Sequence, residues 1–247
     1  MLPLLMMRHR RIPRSRWKDR HTASGKHWIE QAQEDMTPER FMSSMIGYHL
    51  AIEGSLCAMA MCQGTQRRVV NIGMAAKQAA VHPFGVTVAA YVESQQHKVR
   101  PPPTVANTHP IPHQLTPVEL ASITAEHNDE TMLRRLCITL ALKEAYTKAI
   151  GQPIGFDYSR LEFNIPARTA AADDISLGGW EFRIWQVKSG VARRDKLVTE
   201  FYHCACAFFR GTHDSRFIFC ESQEQLNKWV QFLNIDQMMK VLPKLNS

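Results

Sequence analysis

One stretch constrains this chain more than any other. Leu140-Ala-Leu-Lys-Glu-Ala-Tyr-Thr-Lys-Ala-Ile-Gly151 reads as the end of a helix: Gly151 supplies a C-terminal cap and Pro153 blocks continuation. Leu140, Glu144 and Lys148 are spaced i, i+4 and i+8 and share one row, with Lys143 beside it. Leu142, Ala145 and Ala149 form a separate apolar face. An acid and two amines are therefore carried on a helix otherwise made for packing. Spacing alone leaves two readings open. One is an exposed Glu-to-Lys pair worth about 0.2–0.5 kcal/mol. The other is a group of charges presented at a site.

Around that helix the pattern is mixed. Leu115-Thr-Pro-Val-Glu119 predicts a helix start, with Thr116 as N-cap, Pro117 in the first position and Glu119 completing a capping box. Asn128-Asp129 breaks the chain, and the long helix is predicted from about Thr131 to Ile150, burying Leu133, Leu136, Cys137 and Leu140. The period then changes to two. Leu161, Phe163 and Ile165 alternate, as do Trp180, Phe182 and Ile184. Residues 167–179 read as a loop, His203–Phe209 as a central strand and Phe217–Cys220 as a short fourth. The segments 160–165, 180–187 and 203–209 are expected to pair antiparallel. Ser222-x-x-Gln225 predicts the cap of a terminal helix bearing Leu226, Trp229, Val230 and Leu233. Arg183, Arg193 and Arg194 read as a solvated rim. The fold class expected is α+β.

A net charge of +7 favours an anionic partner, whether a nucleotide-like cofactor, an acidic protein, nucleic acid or an acidic membrane surface. No run of eighteen apolar residues predicts a transmembrane helix. Six cysteines show no zinc-ligand spacing, and Cys204 and Cys206 should share one side of a strand as buried thiols. Seven Lys or Arg and one Asp between residues 8 and 20 fit a mitochondrial presequence, a phosphate-binding surface or plain solvated charge. Residues 97–113, with three consecutive prolines, read as a linker.

Lys143-Glu-Ala-Tyr-Thr-Lys148 resembles the K-E-A-x-x-K signature of the 4'-phosphopantetheinyl transferases, in the large, monomeric, two-lobed type. Gly151–Phe163 resembles the fungal-type branch, and the likeness runs on through Trp180-Glu-Phe-Arg, Gly190–Arg194 and Cys204–Gly211. It is strong from about His113 and patchy before. The resemblance implies a cytoplasmic monomer with a two-lobed fold: 1–96 as a degenerate, incomplete N-terminal lobe, 97–113 as the connector and 114–247 as an intact C-terminal lobe. The family's first strand and early helix are missing upstream, as if the chain began inside the first lobe.

The resemblance also implies roles. Glu144 would bind Mg²⁺ and take part in proton transfer, Lys148 would assist the leaving group, and Lys143 would hold the cofactor phosphates. Arg20, Gly25 and Lys26 match a pattern lying near the adenosine phosphates of coenzyme A. Other positions depart from the family. Gly47–Ala60 looks like its strand pair, but His49, Ala51 and Ile52 replace Asn, Ser or Thr, and a phosphate-touching His. Val69–Lys77 looks like the next strand, with Ala75 and Lys77 where metal-binding residues are usual. A methyl and an ammonium offer Mg²⁺ no oxygen. Thr87–Ser94 looks like the start of the following helix.

Two function classes follow. One is transfer of 4'-phosphopantetheine from coenzyme A to a Ser of an acyl or peptidyl carrier domain, in fatty acid, polyketide, nonribosomal peptide or aminoadipate-reductase systems, with impaired metal binding. The other is an inactive relative or truncated product that binds coenzyme A or a carrier protein. A nucleic-acid binder ranks last, since no recognisable motif supports it. No membrane partner is expected.

Overall fold

The computed structural model describes residues 46–63, 71–95, 115–126, 128–152, 156–193, 196–211 and 214–232. Its centre is a four-stranded sheet. Strands β3 (Ile72–Gln78), β7 (Trp180–Arg193), β8 (Lys196–Phe209) and β9 (Arg216–Cys220) lie in the order β3-β8-β7-β9. β8 pairs antiparallel with both neighbours, and β9 joins β7 in parallel. The apolar run His203–Phe209 thus occupies the central position that its continuous hydrophobicity predicts.

The long helix α3 (Asp129–Ala149) covers one face of this sheet. Asn128 caps its start by accepting from Thr131 N, and Gly151 ends it at φ +76°, the left-handed conformation a helix stop requires. Ala141, Leu142, Ala145 and Ala149 pack with Ala75, Ala205, Ala207, Phe182 and Ile184. The small residues bring helix and strand very close. A Cβ added to Gly73 in β3 would stand 2.0 Å from the Ala145 carbonyl oxygen and 2.5 Å from Ala149 N. Two shorter helices, α1 (Val88–Ser94) and α2 (Pro117–Thr124), pack on the other side of α3 through Val92, Ile123, Met132, Leu136 and Leu140. The Thr116–Glu119 capping box forms as the sequence predicts.

On the opposite face of the sheet lies a hairpin, β1 (Ile46–Glu53) and β2 (Leu56–Gln63). Its Ala51, Ala58 and Ala60 pack with Met74, Trp185, Tyr202, Cys204 and Cys206. The two cysteines do share one buried side. A final turn of helix, α4 (Gln223–Asn227), is capped by the Ser222–Gln225 box and buries Leu226.

Three expectations need correction. Residues 167–179 are not a loop: β5 (Thr169–Ala172) and β6 (Ile175–Ser176) form a three-stranded sheet with β4 (Leu161–Asn164). The Asp173-Asp174 turn, at φ 51° and 62°, makes the tight hairpin. Consequently 160–165 pairs with 169–172 and not with the central sheet. Arg183 is no solvated rim, since it pairs with Glu181 and lies over the Phe208 and Trp229 rings. β3 is hydrogen-bonded to β8 along its whole length. The proline-rich stretch 97–113, Arg194 and Leu233 lie outside the described residues.

Candidate active site

Strand alternation turns Gly73, Ala75 and Lys77 toward α3, while Met74 and Ala76 face the hairpin side. Lys77 comes last, near the end of β3, and reaches the charged row of the helix. Its Nζ lies 2.6 Å from Glu144 Oε2, and Lys148 Nζ lies 2.7 Å from Glu144 Oε1. One carboxylate is held between two ammoniums. The side chains are about a quarter exposed or less, so the pair is not the open surface bridge that its spacing alone permits.

Lys148 makes two further bonds. It donates to Met74 O at 3.0 Å and to Leu50 O at 3.3 Å. These carbonyls belong to β3 and β1, which lie in different sheets. An ammonium has three N–H groups, and all three are engaged. His49 Nδ1 lies 3.0 Å from the same Leu50 oxygen. Burial, with the charge of Lys148, lowers the His49 pKa against that hydrogen bond. Burial works against the charge of Glu144 too, yet Lys77 and Lys148 hold its carboxyl below the ordinary value. In turn Glu144 keeps the Lys77 ammonium above its ordinary value despite burial.

Lys143 stands elsewhere. Its Nζ is 2.6 Å from Glu119 Oε2 and donates to Tyr158 O at 3.0 Å, with the side chain 1% exposed. Glu119 also accepts from the Thr116 and Phe163 backbone N–H groups. The pair ties α2, α3 and β4 together. Lys143, from which a contact with cofactor phosphates is expected, is engaged here in a buried ion pair and a backbone hydrogen bond. Arg20, Gly25 and Lys26 lie outside the described residues. Ile52, at the position of the expected His, is 74% exposed.

The donor set does not suit Mg²⁺, which takes an octahedron of oxygens. Ala75 is fully buried among apolar side chains, and Lys77 places an ammonium on the Glu144 carboxylate. Among the described residues no group of three His, Cys, Asp or Glu is placed to hold a metal ion. Glu144 as a Mg²⁺ ligand is thus an expectation that the local chemistry opposes.

No family model matches the chain. Over 188 residues it is 27% identical to the 4'-phosphopantetheinyl transferase pptA of Paxillus involutus, covering 76% of this chain. The chain is thus similar to a 4'-phosphopantetheinyl transferase. It spans 64% of that relative's length. The sequence singles out Glu144, Lys148, Ala75 and Lys77, and the structure brings Glu144, Lys148 and Lys77 together. Sequence reading missed that Lys77 and Glu144 touch, that His49 adjoins them and that Glu119 claims Lys143. The i, i+2 spacing of Ala75 and Lys77 was the available signal for the first. No helix among the described residues is long and apolar enough to cross a membrane.

Proposed function

We propose that this chain transfers 4'-phosphopantetheine from coenzyme A to the hydroxyl of a carrier-domain Ser, slowly. The observation that supports this most is the position of Glu144 and Lys148, joined on the signature helix where α3 meets β1 and β3. In the reaction the Ser oxygen bonds to the pantetheine-side phosphorus. The bond from that phosphorus to the bridging oxygen breaks, releasing 3',5'-bisphosphoadenosine. Glu144 accepts the Ser proton, directly or through one water. Its fixed orientation favours that step, but two flanking ammoniums lower its basicity. No step is assigned to a metal ion. The positive net charge suits coenzyme A and acidic carrier domains.

A second reading is binding without transfer. It is supported by the occupation of both Glu144 oxygens and of all three Lys148 donors. Incubation of the full chain with coenzyme A and an apo-carrier domain, with and without Mg²⁺, decides between them. Intact mass should show phosphopantetheine added to the carrier by the unaltered chain and not by Glu144→Gln. An unmodified carrier under every condition leaves binding as the function.

A further inference from the structure

We propose that the Lys77 ammonium takes the position of a divalent cation, binding the phosphoryl oxygens of a diphosphate without any metal ion. The inference rests on the transferase reading only for the choice of a diphosphate as the anion.

The first observation concerns donors. Lys77 and Lys148 flank Glu144, but they are not equivalent. Lys148 spends its three N–H groups on Glu144, Met74 and Leu50. Lys77 has one acceptor among the described residues, Glu144 Oε2, and its side chain is 25% exposed. Two of its N–H groups have no acceptor among the described residues, and the side chain is reached by solvent. The expected division of labour is inverted: the signature lysine is committed to backbone, and the lysine of β3 retains donors.

The second observation concerns charge. Glu53 lies close enough for its carboxylate to act on Lys77, and its Oε1 accepts from Gln78 N at 3.4 Å. Two carboxylates, Glu53 and Glu144, thus face two ammoniums, Lys77 and Lys148, and the local sum is zero. Carboxylates at 75 and 77 in place of Ala and Lys would leave the site strongly negative and dependent on a bound cation. This site reaches balance with its own side chains. A diphosphate arriving there meets no uncompensated carboxylate, and the charge-assisted N–H groups of Lys77 are strong donors to phosphoryl oxygens.

The third is rigidity. Glu144 grips Lys77 while Lys148 grips Glu144, and Lys148 is anchored on two strands. The donor is therefore held in place before any ligand arrives, which reduces the ordering cost of binding.

Calorimetric titration of the full chain with inorganic pyrophosphate, in EDTA and then in Mg²⁺, tests the proposal apart from any transfer to a carrier. Binding in EDTA should match that in Mg²⁺ to within about threefold, and Lys77→Met should weaken it about tenfold or more, the scale of a lost charge-assisted hydrogen bond. Inorganic phosphate should bind more weakly than pyrophosphate. Lys77→Arg, which keeps the charge and the Glu144 partner, serves if the Met variant fails to melt cooperatively, and it should retain binding. Binding that appears only with Mg²⁺, no binding at all, equal affinity for phosphate and pyrophosphate, or indifference to Lys77→Met in a folded variant would overturn the assignment. Carrier modification with Mg²⁺-dependent pyrophosphate binding would leave the transferase reading standing and remove this one. Metal-free binding with an unmodified carrier would do the reverse.

Discussion

Glu119 and Lys143 meet at 2.6 Å with both side chains sealed from solvent, joining a helix start to a residue 24 positions further on. Burial pushes the Glu119 carboxyl up and the Lys143 ammonium down, against their mutual attraction. Neither charge would be stable there without the other. Lys143→Met is therefore expected to destabilise the fold by about 3–5 kcal/mol, because it strands a buried carboxylate. Lys143→Met with Glu119→Gln should cost less than Lys143→Met alone. Urea denaturation checks this, and a double variant no more stable than the single one would refute the account.

Lys148 predicts a different phenotype. Lys148→Met removes the tie between the carbonyls of Leu50 and Met74 while leaving Glu144 paired with Lys77. The β1–β2 hairpin should loosen against the sheet. Amide hydrogen exchange in β1 and β2 is expected to accelerate by about tenfold, with β7 and β8 unchanged, as for a local opening. Uniform acceleration across all four strands would point instead to a global loss of stability.

The metal argument can be turned around. Ala75 and Lys77 face α3 from the same side of β3. Ala75→Asp with Lys77→Asp would bring two carboxylates toward Glu144 and supply the oxygen donors Mg²⁺ takes. This double variant is expected to bind Mg²⁺ measurably by calorimetry where the parent chain does not. Equal Mg²⁺ binding by the parent chain would contradict the reading of the donor set. Ala75→Asp alone should increase carrier modification, and Glu144→Ala should abolish it, as read by intact mass.

His203 gives the fold a pH dependence. It sits in β8 opposite Lys77 and Gln186, and burial, with the charge of Arg134, lowers its pKa from 6.5 to about 4. The unfolded chain takes up the proton near pH 6.5, while the folded imidazole stays neutral until about pH 4. Stability is therefore full above that window and falls as pH drops through it, by about 3 kcal/mol in all. Melting temperatures between pH 7.5 and 4.5 should show this slope, and His203→Leu should flatten it. An identical slope in the variant would assign the dependence elsewhere.

What could be read from the sequence was local. The boxes Thr116–Glu119 and Ser222–Gln225 are spelled within four residues, and both form. The long helix and β8 declare themselves by period and length. The misread parts depend on partners distant in the chain. Nothing near Lys143 names Glu119, and a helical wheel cannot say which of two adjacent charges is turned inward. Arg183 looked solvated because the Trp229 and Phe208 rings that cover it come from other elements. The strands β5 and β6 are alanine-rich and short, so their pattern was weak, although the Asp173-Asp174 pair was a hairpin signal in plain view. The pairing of β3 with β8 joins residues more than a hundred positions apart, and no local pattern spells it.

Gly73 has neither charge nor side chain, yet it sets the spacing on which the charged cluster depends. The helix carrying Glu144 and Lys148 rests directly on its Cα, with the Ala145 carbonyl and the Lys148 Cβ as the points of contact. A methyl group there would act as a shim. It would lift the helix from β3, and the separations between Glu144, Lys77 and Lys148 would widen together. A mutational survey confined to ionisable positions would pass over this residue, on which the helix carrying two of the three rests. Tolerance at position 73 is in effect a gauge of how finely the site must be spaced.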